Sequence, residues 1–218
     1  MDHVKLQQYP CPEAVLELGP ICPVTCDLLT TCMAHPEQVS AEGRRFAAKF
    51  VFQRAMETVL NVDAAVEVAT TVMAKEENDP VFTTRLTSCL DLTYIERENL
   101  IPMKHINVTH FIKRLYTVLK NRKVSVRIFN TELPTYFLNC MLTWCHSCFE
   151  KPNLYSVSAM DAFHGIINRN TALVMRKKFP RRTTRLRGCI AKAVSRGPLQ
   201  KGVRLLMWEI LQFFPRDD

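Results

Sequence analysis

The chain has 218 residues, 47% hydrophobic and 23% charged, with only 6 glycines, which excludes extended disorder and allows one packed core. Its net charge of +8 is local: Ala162 to Trp208 holds twelve Lys or Arg and no Asp or Glu, so the rest of the chain sums to −4. The first eight residues, MDHVKLQQ, lack the apolar centre of a secretory signal, and no window approaches a transmembrane span, so a cytoplasmic or nuclear protein that is not secreted is expected.

In chain order, residues 1–23 carry Pro10, Pro12, Pro20 and Pro23 and read as an irregular arm with at most one short helix around Ala14 to Leu18. The arm can lie against the body or against a neighbouring subunit. Residues 24–214 read as one helical domain. A short helix spans Val24 to Met33 and stops at Pro36. Ser40 opens a stronger one to about Leu60, with Phe46, Ala47, Phe50, Val51 and Val59 on its core face. Asn61 or Asp63 caps a helix through Val66, Ala69, Val72 and Met73, and Lys75 to Asp79 is a solvated break. Asp79 and Pro80 then start a helix to about Leu90. Thr93 to Glu96 has capping-box spacing for a short helix before Pro102.

Asn107 or Thr109 opens a helix with Phe111, Ile112, Leu115, Val118 and Leu119 inward. Lys123 to Phe129 alternates with period two and is the one strand candidate, with no second strand evident. Thr131 or Pro134 to Phe149 is apolar on nearly all sides and is expected at the centre of the core. Pro152 closes it. Ser156 or Ser158 caps a helix with Ala159, Met160, Phe163, Ile166 and Ile167 inward. Asn170 caps Thr171 to Phe179, Pro180 breaks it, and Thr183 or Thr184 caps a helix through Leu186, Ile190, Ala193 and Val194 that Gly197 and Pro198 end. Val203 to Phe214 forms a last apolar helix stopped by Pro215, packed against the central one. The expected fold is all-α, a single compact domain of about eight to ten helices.

The basic surface from 162–208 comprises Arg169, Arg176, Lys177, Lys178, Arg181, Arg182, Arg185, Arg187, Lys192, Arg196, Lys201 and Arg204. Seven of these charges fall within Arg176 to Arg187, around Pro180, and they ride on amphipathic helices instead of a disordered tail. Such a surface neutralises phosphates and releases condensed counterions with little need to read bases. Phe179 can stack a base, although a lone aromatic is more often a core residue. Binding of nucleic acid, RNA in the first place, is therefore expected. A solvated face, a nuclear-import signal, an acidic protein partner of a helical adaptor, and an anionic membrane face are the alternatives, since charge alone does not choose among them.

Nine cysteines are expected to be reduced in the cytosol or nucleus, and their odd number argues against a disulfide scaffold. Cys140, Cys145 and Cys148, with His164, have zinc-ligand types but lie in an apolar helix. Cys22, Cys26, Cys32 and His35 offer a second set, although six residues of helix put Cys26 and Cys32 on different faces. Cysteines packed in the core are the competing reading of both. No nucleophile elbow, phosphate-cradling glycine loop, HExxH or kinase motif occurs, and Cys145 or Cys148 with His146 or His164 lacks an orienting third group, so no enzyme is expected.

In layout, a helical unit of this size with a basic C-terminal surface and an irregular N-terminal arm, the chain is similar to small viral nucleocapsid, coat and matrix proteins. The Cys145-x2-Cys148 pair resembles the zinc-associated pair of influenza-type matrix proteins, without the HxxH that follows there. The resemblance implies a non-catalytic assembly or scaffold protein that associates with itself and with nucleic acid.

Overall fold

The fold is given by a computed structural model that describes residues 10–76, 79–122, 126–128, 130–150, 156–196 and 199–214. Among the described residues there are eleven α-helices and one two-stranded hairpin. Their apolar faces share one continuous core, and the all-α expectation holds.

The described part of the arm, residues 10–23, lies on the body. Its helix α1 (Glu13–Leu16) packs on α2 (Pro23–Ala34) and α4 (Leu60–Lys75), with Val15 and Leu18 fully buried. Between α2 and α4, α3 (Ala41–Glu57) starts where Ser40 accepts a hydrogen bond from the Gly43 amide at 3.1 Å. Its buried stripe is Ala47, Ala48, Val51, Phe52, Ala55 and Met56. Phe46 instead stands 51% exposed, stacked beside half-buried Phe50, and Val59 is exposed, so part of the expected core face lies off the core. Small residues on the true stripe let α3 pack closely on α4, α5 (Val81–Ile95) and α6 (Pro102–Asn121).

Neither expected cap of α4 acts as one. Asn61 donates to the Arg54 carbonyl at 3.2 Å, and Asp63 pairs with Arg114 at 2.6 Å. The break after α4 is not solvated at Glu76, which is 3% exposed. Its carboxylate accepts the Phe82 and Thr83 amides and the Thr83 hydroxyl, each at 2.9 Å, and pairs with Arg44 at 3.2 Å. Glu76 thus satisfies the open amides of α5 from outside the helix, while the Asp79 carboxylate turns to Arg44 at 2.6 Å. Thr93 bonds back to the Cys89 carbonyl at 2.8 Å within α5, so the expected capping box is absorbed into a longer helix.

α6 starts at Pro102, earlier than expected, because proline at the first helical position loses no intrahelical bond. Asn107 is consequently interior, fully buried, and donates to the Met56 carbonyl of α3 at 3.1 Å. Thr109 bonds back to the His105 carbonyl. α6 touches α3, α4, α8 (Ser156–His164) and α7 (Leu133–Glu150), and so shares the central place expected for α7 alone.

The strand candidate is real but short. β1 (Arg127–Ile128) pairs antiparallel with β2 (Thr131–Glu132) across a turn at Asn130, whose φ of 61° is one that asparagine tolerates. Its partner is a stretch expected to begin the next helix; residues 123–125 and 129 lie outside the described residues.

Three helices complete the chain: α9 (Arg169–Lys178), α10 (Pro180–Arg196) and α11 (Lys201–Leu211). Asn168, not Asn170, caps α9 by accepting the Thr171 amide at 2.9 Å. Pro180 begins α10, which leaves Thr183 inside it, bonded to the Phe179 carbonyl at 2.8 Å. Ser158 likewise lies within α8, its hydroxyl 3.0 Å from His105 Nδ1. α11 packs mainly on α8 and α10 instead of α7, with Met207, Ile210 and Phe214 inward and Leu205 and Trp208 outward. The expected stops at Pro152, Gly197–Pro198 and Pro215 fall outside the described residues. Among the described residues, no helix is long and apolar enough to cross a membrane.

Candidate nucleic-acid interface

The cationic cluster occupies two consecutive helices that meet at Phe179. Arg176, Lys177 and Lys178 form the last turn of α9, where the negative end of the helix dipole favours them. The first turns of α10 carry Arg181, Arg182 and Arg185, and no acidic residue stands there. Cations at the positive end of a helix repel its dipole, so the fold holds charge of one sign against its local preference. At about 100° per residue, Arg181, Arg185 and Lys192 fall within about 40° of one another, on the side turned away from buried Leu186 and Ile190.

The structure separates the predicted binding residues into two groups. Arg169, Arg176, Lys177, Lys178, Arg181, Arg185 and Lys192 are exposed, and among the described residues these seven have no carboxylate partner. Lys201 and Arg204 are exposed on α11, which leans on α10. Arg182 serves the fold: its guanidinium donates to Asn139 Oδ1 at 2.7 Å and Thr143 Oγ1 at 3.2 Å, and its carbonyl lies 2.9 Å from His146 Nε2. Arg187 is half-buried, and Arg196 ends α10. Phe179 packs half-buried against the core and is not a free stacking platform.

Two cations outside the basic segment extend this surface. A cleft of about 450 Å³ between α6, α7, α9 and the hairpin is lined by Lys120, Arg127 and Lys178 together with Tyr116 and Glu132. Lys120 lies over the Tyr116 ring, 5.5 Å from its centroid. Lys120 and Arg127 were legible in the sequence as members of a second, shorter basic run with Arg122 and Lys123. Arg122 differs from them, since Glu67 holds it at 2.7 Å.

The cysteine and histidine candidates do not converge. Among the described residues no three His, Cys, Asp or Glu side chains are grouped to hold a metal ion. Cys145 is fully buried, bonds to the Ala159 carbonyl at 3.5 Å, and is pushed well above the usual thiol range by burial. Burial likewise pushes Cys140 up to about 12. Cys148 bonds to the Trp144 carbonyl, and His164 pairs with Glu209 at 3.0 Å, linking α8 to α11. In the second set, Cys32 is in the core, His35 lies 3.2 Å from Glu37, and Cys26 meets Cys11. These thiols and imidazoles do packing and pairing work in the places described. Comparison with known protein-family models and with curated proteins gives no match to this chain.

Proposed function

We propose that the protein binds nucleic acid without catalysis, RNA first, along the ridge formed by α9 and α10 and with little dependence on base sequence. The observation that carries this reading is the unpartnered state of the ridge. Among the described residues seven exposed cations have no carboxylate partner, three arginines crowd the positive end of α10, and no acidic residue interrupts 47 positions of sequence. Phosphate oxygens satisfy such donors, and counterion release supplies the affinity. Single-stranded RNA is favoured over duplex because a flexible strand can follow a ridge that turns at Phe179, whereas duplex DNA resists bending over so short a span. Self-association would complete the packaging or scaffold role that the nucleocapsid-like layout implies.

A second reading, a helical adaptor for another protein, is favoured by a different observation. Leu92, Ile95, Ile101, Met103 and Ile106 are all exposed around the corner between α5 and α6, and apolar groups gathered in this way commonly mark protein contacts.

The test is a titration of nuclease-treated protein into a short labelled single-stranded RNA and a duplex DNA across a salt series. The expected result is micromolar or tighter RNA binding at low salt, with log affinity falling linearly in log salt at a slope of about −0.7 per phosphate engaged. No binding at low salt would overturn the nucleic-acid reading and leave the basic ridge to an acidic protein or lipid face.

A further inference from the structure

The proline-rich arm and α2 bring two thiols together. Cys11 Sγ lies 2.6 Å from Cys26 Sγ, across 15 positions of sequence, and both residues are half-buried. Two protonated sulfurs at that distance are inside ordinary nonbonded contact. A shared metal ion would hold them farther apart: with Zn–S bonds of about 2.3 Å, tetrahedral geometry separates two ligand sulfurs by about 3.8 Å. The approach is imposed from both sides, because α1 is docked through Val15 and Leu18 and Arg54 donates to the Pro20 carbonyl. The hydrogen bond it shares with Cys11, and then burial, push the Cys26 thiol up to about 11. Cys22, at the start of α2, is different. It is exposed, and its bond to the Thr25 hydroxyl at 3.2 Å lowers it from the ordinary thiol value.

We propose that Cys11 and Cys26 are an oxidation site, which a low-molecular-weight disulfide such as glutathione disulfide converts into an intramolecular disulfide that ties the arm to α2. One thiol of the pair, as thiolate, attacks a sulfur of the small disulfide; the old sulfur–sulfur bond breaks and one glutathione thiolate leaves. The second thiol gives up its proton and displaces the remaining glutathione. Two protein thiols are oxidised, and two molecules of reduced glutathione are formed. Excess reduced glutathione runs the same exchange backwards, so the bond is reversible, as expected of a disulfide in a reducing compartment. Cys22 competes for the oxidant, but its sulfur bonds to Thr25 and not to either member of the pair.

The experiment incubates the whole folded chain with glutathione disulfide at mildly alkaline pH, alkylates the remaining thiols, and maps peptides without reduction after cleavage at Glu13 and Glu17, which lie between the two cysteines. The expected product is a Cys11–Cys26 cross-linked peptide pair, released by reduced glutathione and still formed in Cys22→Ser. Closing the loop should raise the thermal midpoint of the oxidised protein by about 5 °C. In Cys11→Ser, Cys26 should stop at a glutathione adduct, and Cys11 should do the same in Cys26→Ser. The proposal is overturned if oxidation joins Cys22 to either cysteine, if glutathione settles on Cys22 while Cys11 and Cys26 stay alkylatable, or if the cross-link needs denaturant to form.

Discussion

Two sets of arginines in this molecule are used in opposite ways. In the helices before the hairpin, Arg44, Arg54, Arg114 and Arg122 each hold a carboxylate, and Arg44 meets Glu76 where both side chains are almost fully withdrawn from water. On α9 and α10, Arg176, Arg181 and Arg185 have none among the described residues and stand in solvent. A carboxylate partner turns an arginine into a fastening between helices. Without one, the same side chain adds to a field that extends to the Debye length, about 8 Å at physiological salt, and selects polyanions. Net charge alone hides this difference, because paired and unpaired cations count the same.

The largest effect that would sharpen the contrast is at Glu76. Glu76→Ala removes the acceptor of two backbone amides and leaves Arg44 with only its Asp79 contacts, so denaturant unfolding should show a loss of about 3–5 kcal/mol. The fraction that still folds should bind RNA as the parent does.

Arg182 is the exception within the ridge. Arg182→Ala breaks its side-chain bonds to Asn139 and Thr143 and should cost about 1 kcal/mol, a stability loss that Arg181→Ala does not share.

Acid should also act on the core and not on the ridge. Burial lowers His105 and His110 from their ordinary value, and His105 is wedged edge-on to Trp144 and bonded to Ser158. Because the folded values lie below the unfolded one, the unfolded chain takes up protons first as pH falls past about 6.5. Stability is therefore full above that pH and declines on acidification. A series of melts should show the midpoint falling between neutral pH and pH 5, with a shallower fall in His105→Gln.

The smallest effect is expected at the exposed pairs. Asp63→Asn, which releases Arg114, should change stability by about 0–1 kcal/mol and by less at high salt.

Periodicity made most of the helices legible, because apolar residues at helical spacing need one buried face whatever the connections are. The ends were less legible. Pro102 and Pro180 look like breakers, yet each opens a helix, and Glu76 looks like part of a polar loop until the three-dimensional fold brings Arg44, Phe82 and Thr83 around it. Phe46 and Trp208 show a different limit. Their hydrophobicity implied the core, but the neighbouring faces were filled by Ala47 and Ala48 in one helix and by Met207 and Ile210 in the other. The basic site was visible as composition, since an acid-free stretch needs no fold to be seen. The sorting of its members into fastenings, such as Arg182, and unpartnered charges, such as Arg181, depends on contacts between helices far apart in sequence. The meeting of Cys11 with Cys26 does so as well.

The central claim, that the position of these cations and not their number makes the site, is tested most directly with two triple variants of equal charge. One replaces Lys177, Arg181 and Arg185 of the ridge by Ser; the other replaces Arg45, Lys49 and Lys104, which are exposed in the first half. RNA affinity is measured for both and for the parent across the same salt series. The ridge variant should lose affinity at least tenfold at moderate salt and flatten the log–log slope by about 2, with stability changed by no more than about 0.5 kcal/mol per site, while the first-half variant tracks the parent. Equal losses in the two variants, or no loss in the ridge variant, would contradict it.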